Sequence, residues 1–121
     1  MKTIKEWQKE VYDLAMEKGW HGEGNEKSFG ECIAMIHSEL SEALEEYRKG
    51  YKPNTVYYTQ VLSPEMKKVV FKPEGVASEL ADVIIRVLDT CEQFDIPLEE
   101  AIKWKHEYNK TRSYRHGNKK L

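Results

Sequence analysis

The stretch HSELSEALEE, residues 37–46, places four glutamates among three apolar residues and constrains the fold more than any other segment. At about 100° per residue on a helix, Glu39, Glu42 and Glu46 fall within one arc of roughly 60°, and Ile36, Leu40, Ala43 and Leu44 occupy the neighbouring arc. Three carboxylates therefore border a buried seam. Like charges at three- and four-residue spacing repel by about a few tenths of a kcal/mol per exposed pair, and by more when partly buried. Either water or a cation has to compensate them.

The layout recurs at residues 78–89, SELADVIIRVLD. Asp82 lies about 60° from Glu79, Arg86 falls between them, and Val76, Leu80, Val83, Ile84 and Val87 fill the adjacent arc. Packing the two faces together brings Glu39, Glu42, Glu79 and Asp82 near one point. Four converging carboxylates do not all stay ionised without cations, and all-oxygen donors suit hard divalent ions, Mg2+ or alternatively Mn2+. Such sites keep water positions open for a phosphate-bearing substrate. The competing reading is a solvated acidic face on a non-catalytic helical interaction module, with Glu45 and Glu46 paired to Arg48 or Lys49. A ferritin-like di-iron bundle fits less well, because neither acidic pair carries the Glu-x-x-His that it needs.

The remainder of the chain reads as helices around one excursion. Helix one is expected at Thr3–Lys18, with Thr3 as cap and Ile4, Trp7, Val11, Leu14 and Ala15 as the apolar stripe. GWHGEGNEKS is a loop, and Ser28 caps a second helix running to about Lys49. In residues 51–75, TVYYTQV and KKVVF flank LSPEM, which predicts a β-hairpin-like insertion. A third helix is expected to start near Ser78 as its cap and, being apolar over more than half its circumference, to be central. Pro97 suits the first turn of a fourth, and the basic tail RHGNKKL is expected to be loose. The expectation is a single domain of 121 residues, an all-α four-helix bundle with a small insertion between helices two and three.

Composition narrows the function classes. With 19 Lys plus Arg against 21 Asp plus Glu and a net charge of −2, no basic field draws the chain to a nucleic acid polymer. No signal-type or membrane-spanning apolar run occurs, so a soluble cytoplasmic protein is expected. Cys32 and Cys91 read as reduced core residues. Lys105, Asn109 and Arg112, spaced four and three apart, put a cation, an amide and a planar fork on one helical arc suited to phosphate. Trp20 and His21 sit in the Gly-rich loop, where a ring could stack on a base, whereas Trp7 belongs to the core stripe. Trp104 borders the basic face.

With ELSEAL at 39–44, SELADVIIRVLD at 78–89 and KHEYNKTR at 105–112, the chain resembles the MazG-type all-α nucleoside triphosphate pyrophosphohydrolases. That superfamily includes dUTP and dCTP pyrophosphatases and phosphoribosyl-ATP pyrophosphohydrolase. The resemblance covers roughly residues 4–49 and 76–117, and the link between the acidic pairs is longer than in many relatives. It implies that Glu39, Glu42, Glu79 and Asp82 are Mg2+ ligands and that Lys105, Asn109 and Arg112 face the phosphates. The implied reaction is hydrolysis of a nucleoside triphosphate, as a deoxynucleotide, to the monophosphate and pyrophosphate in nucleotide-pool housecleaning. Glu42 or Glu46 is expected to act as base toward the attacking water. Homodimers or homotetramers, with the bundle completed across subunits, are implied as well.

Overall fold

Thr3 and Ser28 start the first two helices by the same device. In the computed structural model, which describes residues 1–121, α1 (Ile4–Glu17) and α2 (Phe29–Arg48) each open on a reciprocal capping box. The Thr3 and Ser28 hydroxyls accept from the amides of Glu6 and Glu31, whose carboxylates accept from the cap amides in return. That carboxylate role holds Glu31 below its ordinary pKa.

Beyond α2 come β1 (Tyr57–Ser63) and β2 (Lys68–Glu74), followed by α3 (Val76–Gln93), α4 (Leu98–Lys110) and the short α5 (Arg115–Asn118). The expectation of an all-α chain is corrected here. Residues 57–74 form a two-stranded antiparallel sheet with Tyr57 opposite Glu74 and Ser63 opposite Lys68, so the chain is mixed, though mostly helical. The reason lies in Val61, Val69, Val70, Tyr57, Tyr58 and Phe71, branched and aromatic residues that suit a pleated ribbon. At its tip the Lys67 amide donates to the Ser63 carbonyl at 2.8 Å, with Lys67 at φ 53°.

The ribbon returns directly into α3. Gly75 has φ 108°, and a Cβ there would lie 2.5 Å from the Thr55 carbonyl oxygen, so only glycine fits the junction. Ser78, expected as the cap, lies inside the first turn, and its hydroxyl donates to the Pro73 carbonyl at 2.9 Å. It ties ribbon to helix instead. In the tail, expected to be loose, residues 115–118 make one short turn in which Arg115, His116, Gly117 and Asn118 all have positive φ.

The helices do not form the expected all-α antiparallel four-helix bundle. α3 is central, packing against α2 on one side and α1 on the other, while α4 packs on α1. On α2 the buried residues Cys32, Glu39, Ala43 and Glu46 make a seam, met by Val76, Leu88 and Cys91 of α3. Burial pushes the Cys91 thiol up, and both cysteines are free. This core is small. Leu40, Leu44, Leu80 and Ile84, counted in the sequence as seam residues, are exposed on α2 and α3. No helix is long and apolar enough to cross a membrane.

Candidate metal centre

Glu39 and Glu42 stand one turn apart on α2, and Glu79 stands in the first turn of α3, which packs against it. Their carboxylate oxygens lie within 4.8 Å of one another. Oxygens sharing one small ion at about 2.1 Å stand roughly 3 to 4 Å apart, so the triad is close to a ligand set. Asp82, one turn further along α3, feels the same field. Glu79 is pushed up to about 7, first by burial, then by the charge of Glu42 and a carboxyl contact with it, and then by Asp82 and Glu39. Asp82 is raised by burial and by Glu39, against which Arg86 and Lys72 pull it down. Hard, all-oxygen and mutually repelling, the donors fit Mg2+ or Mn2+ chemically.

Two further ion pairs cross the same region. Arg86 Nε donates to Glu39 Oε1 at 2.6 Å, and His21 Nε2 lies 2.7 Å from Asp89 Oδ1. Sequence reasoning missed both, although Asp82, Arg86 and Asp89 share one face of α3 by their spacing. Arg86 and Asp89, with Glu39 and Asp82, line a cavity of about 570 Å3 where α1 and α2 splay apart over α3. Trp7, Val11, Leu14, Met35 and Ile85 give it apolar walls, and Trp20 and His21 close one side. Trp7 is thus a half-exposed wall of the cavity and not the core residue expected. The His21 ring is buried and stacks on Tyr12 at 4.5 Å between centroids, which leaves Nδ1 without a partner.

Other residues singled out in the sequence lie apart from the triad. The Tyr57 hydroxyl donates its single proton to the Glu46 carboxylate, 3.0 and 3.3 Å from the two oxygens, and Glu46 faces Lys49 at 3.8 Å. It anchors the ribbon to α2, and burial and this bond together push the Tyr57 phenol up. Lys105 and Asn109 are exposed on α4, and Arg112 is exposed just beyond it. Lys105 and Arg112 flank the Tyr108 ring at 5.5 and 5.8 Å, making one cationic patch, but within the chain none of the three joins the cavity or the acids. Trp104 is exposed on the same helix. Compared with known protein families, characterised proteins and solved structures, the chain matches none.

Proposed function

We propose that the chain is a Mg2+-dependent pyrophosphohydrolase of MazG type, converting a nucleoside triphosphate to its monophosphate and pyrophosphate. The observation that carries this reading is the convergence of Glu39, Glu42 and Glu79 from two helices, with Asp82 beside them, at the edge of an aromatic-walled cavity. Bound Mg2+, or Mn2+ in its place, would supply charge neutralisation at the phosphates and acidify a water. The chain's own residues do the rest. Trp20 and the apolar walls take up the base and exclude water around it, and His21, fixed by Asp89, supplies a polar edge. Glu42 is the exposed member of the triad and accepts the proton of the attacking water, whereas Glu46 is engaged by Tyr57.

The same reading makes the protein a cytoplasmic homodimer or homotetramer. Its support is the exposed apolar stripe of Leu40, Leu44, Leu80 and Ile84 on the two helices that carry the acids. Lys105, Asn109 and Arg112 reach a triphosphate when α4 of a second copy is laid across the centre, because α4 of the same chain packs on α1.

Pyrophosphate release from each common NTP and dNTP, with Mg2+ and with Mn2+, tests the reading. Turnover of at least one nucleotide is expected, falling at least a hundredfold in Glu42→Gln and Asp82→Asn while both variants stay folded. Release from no nucleotide, or full activity in both variants, removes the assignment.

A further inference from the structure

We propose that Arg86 is the internal counter-ion of the centre: it holds Glu39 in the metal-free protein, surrenders it to the metal, and turns its freed guanidinium onto the phosphates. This rests on the metal-centre reading above. Glu39 is buried, at 8% exposure, and an ionised carboxylate so placed is costly unless it is paired with a cation. Arg86 is that partner at 2.6 Å, reaching from α3 across to α2. Glu39 has two oxygens, of which Arg86 holds Oε1, and it offers one oxygen to the triad whose members lie within 4.8 Å of one another, so the guanidinium and an ion would draw on the charge of one carboxylate. A divalent ion there competes with the guanidinium for the same carboxylate, and the two cations repel. The displaced fork is not expelled to bulk water. Arg86 lines the cavity beside Asp82 and Asp89, so it moves within the space a triphosphate would enter, and a guanidinium is suited to phosphate by its paired donors. One residue thereby makes empty-site stability, metal affinity and phosphate affinity interdependent.

Arg86→Gln separates these effects, with Mn2+ alone and then Mn2+ with inorganic tripolyphosphate as titrants in calorimetry. Removing the competitor is expected to tighten Mn2+ binding about tenfold, and removing the fork to weaken tripolyphosphate binding to the Mn2+-loaded protein roughly ten- to hundredfold. A residue that merely braces α2 against α3 would weaken both. Should Arg86→Gln not fold without metal, Arg86→Lys carries the test, since a hydrated ammonium grips Glu39 less firmly and lacks the fork. Its Mn2+ affinity should rise, though less, and its tripolyphosphate affinity should fall. Unchanged or weaker Mn2+ binding in the variant overturns the exchange while leaving the centre standing. Wild-type protein that binds neither Mn2+ nor Mg2+ removes the centre and the exchange together.

Discussion

Glu79 retains a proton that an isolated glutamate would have lost. Its folded value of about 7 stands above the ordinary 4.5, so between these limits the folded chain binds more protons than the unfolded one. Stability of the metal-free protein is therefore expected to fall as pH rises from about 4.5 to about 7, by about 1 to 2 kcal/mol after allowance for partial exposure. Thermal melts across that range check it: Glu79→Gln should flatten the slope, and added Mg2+ should restore stability at pH 7.5. A wild-type melting temperature that climbs through the window would show that crowding among these carboxylates is already compensated. The acids were legible in the sequence because a helical wheel needs only spacing. The partners of Glu39 and His21 were not, because Arg86 lies 47 residues from the one and Asp89 lies 68 from the other. No local pattern spans such separations.

At the scale of the element, the ribbon–helix junction is the least tolerant point. Gly75→Ala would combine a left-handed φ of 108° with a Cβ 2.5 Å from the Thr55 oxygen. We expect a loss of about 2 to 4 kcal/mol in urea unfolding, with Glu79 and Asp82 displaced and metal binding weakened in step. A loss under about 0.5 kcal/mol would mean that the junction relaxes freely. The first two helices were readable to within a residue because Thr3-x-x-Glu6 and Ser28-x-x-Glu31 announce them. The third was not, as Ser78 satisfies the same preference but is engaged by Pro73, and the real start is a glycine set by the returning strand. Alternation of branched and aromatic residues located the ribbon and missed its bond from Tyr57 to Glu46. Side chains at the ends of different elements meet only once the fold is made.

For the molecule as a whole, what is left uncovered matters most. Leu44 and Ile84 are 58% and 57% exposed on adjacent helices, in a chain whose buried core holds few large side chains. Apolar stripes of this kind belong to interfaces. Sedimentation at micromolar concentration is expected to give a dimer or larger species for the wild type and a monomer for Leu44→Glu with Ile84→Glu. A monomeric wild type would leave α2 and α3 without the second copy that brings in Lys105, Asn109 and Arg112. The four longer helices and their order were legible in this sequence and the short α5 was not, and α4 was placed in a bundle that it does not join, because periodicity gives a helix an apolar face and not a neighbour.

The direct passage of β2 through Gly75 into α3 also has a meaning in time. α1 and α2 carry their own start signals and can nucleate locally, whereas α3 has no side-chain cap. Its first turn, which contains Glu79, is fixed by Ser78 against Pro73 and by the Glu79 amide on the Gly75 carbonyl. Pro73 is itself held in the sheet opposite Tyr58, so zipping of the strands, a step of about 1 to 10 μs for a hairpin, fixes the carbonyl that Ser78 reaches. Assembly is therefore expected to be sequential, with the ribbon closing before the first turn of α3 is fixed. In that order the like charges of α2 and α3 would meet last, once closure of the hairpin has delivered the second pair to the first.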